Sequence, residues 1–294
     1  MKIESGCAPM VAAVHDLSCV GRCALTVVIP ALAAMGIQPV PLPTAVLSTH
    51  TGGYNGMAVR DLSGFMPECI EHWKTLGIRF SAVYSGYLAD VGQVDTVRKL
   101  IEWQKQVSDA LAVVDPVMGD GGKLYSAMPK EMPEHMLKLC SGADVITPNL
   151  TEASLMLGIP YPDGPMKTDE LISMLERFEA KAAVLTSVTL TDGRHVNACR
   201  IRDTGEIYLC AYERIPVHFP GTGDLFASVL TGEMLRGSAP QEAMRLATAF
   251  LERTIAESHG CGAPVREGVQ LERALKYLLD GSAQNMRAEI ERIK

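Results

Sequence analysis

The sequence predicts an α/β fold with a mostly parallel central sheet and helices on both faces. Three observations predict it. Short apolar runs alternate with amphipathic stretches of helical period along the chain. The runs LAVVD (111–115), ADVIT (143–147) and AAVLT (182–186) are nearly continuous in apolar residues, as suits strands covered on both sides. Each run closes on a polar residue, and in parallel sheets the site lies beyond the carboxyl ends of the strands.

Taken in order, residues 10–14 read as a strand and 22–35 as a helix in which Pro30 predicts a kink or break. The stretch 38–47 is extended, and its prolines Pro39, Pro41 and Pro43 suit irregular or edge backbone. A helix with proline at its start covers 67–76. Residues 81–85 form a strand and 91–107 a long amphipathic helix. The strand at 111–115 precedes a helix at 131–139, and the strand at 143–147 leads into a helix from Thr151. A helix at 168–179 precedes the strand at 182–186. HVNACRIR, the turn DTG and EIYLCAYERI then form a small hairpin addition. Helices near 225–236, 241–258 and 271–279 follow. No linker, repeat or low-complexity segment divides the chain, so a single domain is expected over 1–284, with a charged peripheral tail at 285–294.

Bulk properties narrow the function. The chain has 294 residues, 47% hydrophobic and 21% charged, an ordinary globular balance that buries a sizeable core. A net charge of −7 disfavours nonspecific nucleic-acid binding. No apolar run reaches about 18 residues, the length of a spanning helix, so no membrane association is expected. The N-terminus does not read as a signal peptide. Eight cysteines are scattered without a CxxC pair, which favours a reducing, cytoplasmic compartment.

The chemistry concentrates in HFPGTGDLFASVLTG. Gly221, Thr222 and Gly223 form a turn into a buried helix, whose first N–H groups and positive dipole end make an anion site. Asp224 is then either the helix N-cap or a catalytic carboxylate. Other polar residues gather at strand ends. Asp115 leads to Asp120 through DPVMGDGG, Thr147 leads to Asn149 and Glu152 through TPNLTE, and Thr186 and Ser187 end a third strand. Asp115, Asp120, Asn149 and Glu152 are hard oxygen donors of the kind magnesium takes when it shares a substrate's phosphates. Taken singly, Asp115 could cap a turn, Asn149 could form an Asx turn and Glu152 could be a first-turn helix acid. Their joint placement beside an anion turn favours a phosphate–magnesium site. No GxxxxGK[ST] motif occurs, so the glycine turn would act through backbone amides.

GTGDLFASVLTG resembles the anion-hole motif of the ribokinase-like superfamily. VVDPVMGDGGKLY, ITPNLTEA and STHTGG are similar to the pyridoxal kinase branch, in that branch's order, and the resemblance runs from about His15 to Ile255. It implies a doubly wound α/β fold, usually a homodimer, and transfer of the ATP γ-phosphoryl to the 5′-hydroxymethyl of pyridoxal, pyridoxine or pyridoxamine. Matched motif to motif, Asp224 would accept the alcohol proton, and Gly221, Thr222 and Gly223 would hold the phosphates. Asp120 and Glu152, with Asn149, would organise Mg2+, while Asp115 and Thr147 would sit near a monovalent cation such as K+. Thr186 and Ser187 would touch the nucleotide phosphates, and Val217 and Phe219 would line the adenine pocket. His50, Thr51 and Tyr87 match substrate-side positions.

One segment departs from the pattern. Many vitamin B6 kinases carry a serine near the end of the first strand; here VHDLSCVGRC places His15 there, with Asp16 beside it. An acid at that place resembles hydroxymethylpyrimidine kinases, which keeps that substrate open. Besides these enzymes, a non-catalytic vitamer-binding protein would share the fold, but a pure binder needs no base at Asp224. A polyol sugar kinase fits STHTGG less well than a flat-ring substrate does.

Overall fold

The structure is a computed structural model that describes residues 7–286 and 288–294. Strand β1 (Met10–Val20) leads through a tight corner to helix α1 (Leu25–Ala34), which continues through Pro30. Strands β2 (Gln38–Thr49) and β3 (Val59–Asp61) precede α2 (Phe65–Thr75). Strand β4 (Ala82–Ser85), α3 (Val91–Ser108) and β5 (Leu111–Val114) follow. A two-stranded hairpin, β6 (Gly119–Asp120) and β7 (Lys123–Leu124), stands before α4 (Met132–Ser141). Then come β8 (Val145–Ile146), α5 (Leu150–Leu157), α6 (Thr168–Leu175) and β9 (Ala182–Thr189). Strands β10 (His195–Ile201) and β11 (Ile207–Tyr212) form the expected hairpin. Helices α7 (Thr222–Leu235), α8 (Pro240–Gly260) and α9 (Leu271–Leu279) precede the last strand, β12 (Ile290–Arg292).

The large sheet has the order β12-β11-β10-β9-β8-β5-β4-β1-β2-β3. Its middle, β2, β1, β4, β5, β8 and β9, is parallel, and the remaining pairings are antiparallel. One face packs against α2 to α6 through residues such as Met66, Leu100, Met136 and Leu171. The other packs against α1, α7, α8 and α9 through Leu25, Leu225, Phe250 and Leu271. This is the doubly wound, ribokinase-like α/β architecture that the sequence predicts. From β1 the chain moves outward to β2 on one side and then to β4 on the other, so the strand order reverses between β1 and β4. Crevices at such reversals are where open α/β sheets bind ligands.

One stretch bears out the sequence expectation in detail and another differs from it. Residues 38–47 are extended as expected: β2 pairs with β1 along its length, with a register shift after Pro43, and its proline-bearing part is open on the other side. Gln38 N–H donates toward β1, to Pro9 O at 2.9 Å. By strand alternation Pro39, Pro41 and Pro43 then face away from β1, where β3 pairs only with Ala45 to Leu47. The prolines therefore remove no bond from the β1–β2 ladder. The C-terminal segment is not a loose tail. Residues Ile290–Arg292 pair with β11, because Ile290 brings an apolar side chain to the second core and Arg292 pairs with Glu206. Among the described residues no helix is long and apolar enough to cross a membrane.

Candidate active site

Asp224 lies in the first turn of α7, 9% exposed. Gly221 caps that helix at φ 79°, and a β-carbon there would stand 2.2 Å from Arg22 O. Only glycine satisfies both the left-handed backbone and the close approach. The Asp224 side chain does not cap its own helix, since no side-chain capping bond forms at that end. Its Oδ2 instead accepts from Ala24 N at 2.8 Å and from Cys23 Sγ at 3.4 Å, across the sheet end at the β1–α1 corner. Its carbonyl accepts from Tyr84 Oη at 3.2 Å and Ser228 Oγ at 2.6 Å. Burial raises the pKa of Asp224, and the Ala24 N–H and Cys23 bonds oppose that rise.

Around this carboxylate the strand ends bring several buried groups together. His15, at the end of the β1–β4 pairing, is fully buried, with its ring edge-on to Tyr84 at 4.5 Å. Its Nδ1 stands 3.8 Å from Asp224 Oδ1, and neither ring nitrogen has a hydrogen-bond partner among the described residues. Burial pushes its pKa down to about 3, so the contact is between a neutral imidazole and a carboxyl, not an ion pair. Asp16 accepts from Ser18 Oγ at 2.9 Å, and burial followed by the nearby Asp224 charge pushes its pKa up to about 6. Asp115 follows β5. Burial and then the Asp224 charge push it up to about 8, opposed by Thr147. Glu152, in α5, is raised by burial and by Asp115, while backbone N–H groups hold it down.

Buried carboxyls that raise one another's pKa mark a site short of positive charge. Among the described residues the buried hydroxyl of Ser85, at the end of β4, has no hydrogen-bond partner, and that of Thr147, just after β8, has none beyond a weak contact to Asp115. Charge deficit and orphaned oxygens together fit bound cations. Among the described residues no three His, Cys, Asp or Glu side chains form a closed metal cage. Magnesium needs no such cage, since it takes one or two carboxylates and completes its shell with phosphates and water.

The other expected residues fall into distinct groups. Thr222 Oγ1 bonds Phe219 O at 3.0 Å inside the turn, and a β-carbon on Gly223 would stand 3.8 Å from Asp115 Oδ2. Ser187 is exposed within β9, which runs on past the expected end to Thr189, and its φ of 61° is unusual for a residue with a β-carbon. Its N–H donates to Asn197 Oδ1 at 2.9 Å, at the irregular step in the β9–β10 register. Thr186 bridges to Asn149 beside it. Asp120 is exposed on the β6–β7 hairpin, 4.0 Å from His218 Nε2. Tyr87 lies near Asp16, whose charge, after burial, raises the tyrosine pKa.

Three of the expected positions are engaged within the protein itself. Asn149 is the N-cap of α5: its Oδ1 accepts from Glu152 N at 2.9 Å, its Nδ2 donates to Gly119 O at 2.9 Å, and Glu152 reciprocates to Asn149 N at 2.8 Å. That capping box uses both ends of its amide, which gives Asn149 a structural part in the entry to α5. His50 is 3% exposed and its ring is satisfied by backbone. Nδ1 accepts from Gly52 N at 3.0 Å, which leaves Nε2 as the donor to Arg266 O at 2.7 Å. It fastens its loop, with Thr51 exposed on it, close to Pro220 of the glycine turn. Phe219 is 2% exposed and packs in the core beneath α7, anchoring the turn, with Val217 partly buried against the same core. Cys23, Ala24, Tyr84 and Ser85 carry no motif that marks them, and only the structure brings them to the site.

Fold and site together define a kinase of the ribokinase-like class, with a glycine turn, a buried carboxyl at a helix start and further buried acids at the sheet's switch point. Residues 28–267 match the family model described as phosphomethylpyrimidine kinase, and the chain belongs to that family. It is similar to a Bacteroides thetaiotaomicron protein solved with pyridoxal as a candidate phosphomethylpyrimidine kinase. That structure is 39% identical, with a TM-score of 0.89 over 97% of this chain and 100% of that one. The pyridoxal kinase of Lactobacillus plantarum is 33% identical, with a TM-score of 0.85 over 96% of this chain and 100% of that one. A pyridoxine/pyridoxal/pyridoxamine kinase of Bordetella bronchiseptica is 30% identical over 258 residues, 82% of this chain and 87% of that protein.

Proposed function

We propose that the chain is an ATP-dependent pyridoxal kinase that phosphorylates the 5′-hydroxymethyl of a vitamin B6 vitamer for salvage. The carrying observation is the Asp224 carboxylate. It lies at the start of α7, beside the glycine turn that can hold phosphates, and its Oδ1 is free of protein donors among the described residues. The substrate alcohol docks against Asp224, which takes its proton as the oxygen attacks the γ-phosphorus. The amides of the 221–223 turn stabilise the phosphoryl charge. Ser187, held in a left-handed conformation with its side chain exposed, presents its hydroxyl to the nucleotide phosphates.

Asp120 and Glu152 would hold Mg2+, partly through water, and Asp115 with Thr147 would hold a monovalent cation. The charge these ions supply would offset the phosphates and the buried acids. Asp16, poised near neutrality, can share a proton with a heteroaromatic ring nitrogen on the substrate side, with Tyr87 beside it. The enzyme works as one kinase domain in the cytoplasm, supported by its eight free cysteines, and as the homodimer that the resemblance implies.

Asp16 also favours a second reading, a hydroxymethylpyrimidine kinase of thiamine synthesis. The family description and the acid beside the substrate position both support it. The experiment is ATP turnover with pyridoxal, pyridoxine, pyridoxamine and hydroxymethylpyrimidine. At least one vitamer should show a higher kcat/KM than the pyrimidine, and the reverse order moves the chain to the second reading.

A further inference from the structure

Between β1 and α1 the chain turns at Cys23 and Ala24. Ala24 is 2% exposed and sits at φ 52°, ψ −132°, a backbone conformation that a β-carbon disfavours. Such a conformation persists only where its surroundings over-determine it. Here they do. Cys23 N donates to Thr26 Oγ1 at 3.1 Å, and that hydroxyl donates to Cys23 O at 2.7 Å. Val28 N closes the first helical turn on Ala24 O at 2.9 Å. From the other side, Gly221 packs so closely that its β-carbon would lie 3.2 Å from Cys23 Cα.

The result of this corner is aimed at one atom. Ala24 N and Cys23 Sγ both donate to Asp224 Oδ2, at 2.8 and 3.4 Å. Oδ1 receives no hydrogen bond among the described residues and faces His15 Nδ1 at 3.8 Å. The two carboxylate oxygens are therefore inequivalent before any substrate arrives. A carboxyl free to rotate would offer its proton-accepting lone pair in many directions, whereas one anchored at Oδ2 holds Oδ1 toward a single approach.

We propose that Cys23 and Ala24 form a clamp on the catalytic base, with Cys23 a positioning residue that reserves Asp224 Oδ1 for the substrate alcohol. The inference rests on Asp224 being the base. In the step it serves, the alcohol O–H breaks and its proton passes to Oδ1. The alcohol oxygen forms the new bond to the γ-phosphorus, and the bond from that phosphorus to the bridging oxygen breaks, its electron pair leaving with ADP. A thiol suits the clamp because it is a weak donor. It orients the carboxylate without placing a charge beside it, as an ammonium would.

The test compares the native enzyme, Cys23→Ala, Asp224→Asn and the double variant, by steady-state kcat and KM and by the single-turnover transfer rate. Cys23→Ala should slow transfer about fivefold, the worth of one modest hydrogen bond, with KM for ATP and pyridoxal unchanged. In the Asp224→Asn background the same change should have no further effect, since the group it positions is gone. Cys23→Ser, which restores a donor, should transfer within about twofold of native. Should Cys23→Ala fail to fold, Cys23→Val keeps the bulk, lacks the donor and takes its place. Equal slowing in both backgrounds, an effect confined to KM, a serine variant as slow as alanine, or unchanged transfer in Cys23→Ala overturns the clamp while leaving the base in place. Native-like turnover by Asp224→Asn alone overturns the base, and the clamp with it.

Discussion

Replacing Asp16 with asparagine should stabilise the protein at neutral pH while loosening its grip on substrate. The carboxyl is 7% exposed, keeps one side-chain donor in Ser18, and lies close enough to Asp224 to be repelled by it. Its pKa therefore stands at about 6 in the folded chain, against 3.8 ordinarily. Between these values the folded state holds a proton that the unfolded state has released, so stability falls as pH rises through the window and stays lower above it. Moving a carboxyl that far corresponds to about 3 kcal/mol at pH 7. Asparagine keeps an oxygen for Ser18 but buries an amide donor without a partner, which returns about 1 kcal/mol. The expected net is a gain of about 2 kcal/mol at pH 7 and a loss of about 0.5 kcal/mol at pH 4, where the amide cost remains and little charge is left to relieve. Urea unfolding at the two pH values measures it. A gain of equal size at both, or a loss at pH 7, refutes the reasoning, because either outcome means the buried charge is not what asparagine removes. Steady-state kinetics gives the functional half: KM for pyridoxal should rise about tenfold, one lost hydrogen bond to a near-neutral acid, while KM for ATP stays put.

Asp224→Asn keeps the acceptor for Ala24 N–H and relieves a buried charge, so urea stability should not fall while kcat drops on the order of 10²–10⁴. Gly221→Ala forces a β-carbon to 2.2 Å from Arg22 O at φ 79°. It should cost about 2–3 kcal/mol in urea unfolding, from the left-handed penalty and the shift it forces, and lower turnover more than tenfold by displacing the phosphate turn. Excess chelator should abolish transfer, magnesium should restore it, and the circular dichroism spectrum should not change; activity that survives chelation would leave Asp120 and Glu152 as structural caps.

The parallel sheet and the glycine turn were legible because their signals are local. AAVLT, LAVVD and ADVIT read as strands from composition alone, and two glycines ahead of an acid mark a helix entry on which anions can bind. His50 and Asn149 look like ligands in a string of letters because spacing says nothing about who satisfies a side chain. It takes coordinates to show that Gly52 and Arg266 fill the imidazole and that a capping box fills the amide. Strand β2 reads as extended from the sequence, but that its prolines cost the ladder nothing depends on which way each nitrogen faces. Ala24 could not be found at all, since alanine is a residue no rule assigns to a left-handed corner and its contribution to the site is a backbone N–H.

The contact between Ala24 and Asp224 joins positions 200 residues apart, so the base is set only when the first strand and the seventh helix have met. Contacts of such long range form late, after the loop between them has closed. Both tryptophans, Trp73 and Trp103, pack on the opposite side of the sheet, against the core that α2 to α6 build. Intrinsic fluorescence therefore watches one layer of the molecule while catalytic competence is decided in the other. A refolding chain can regain its native emission before it can turn over a single substrate.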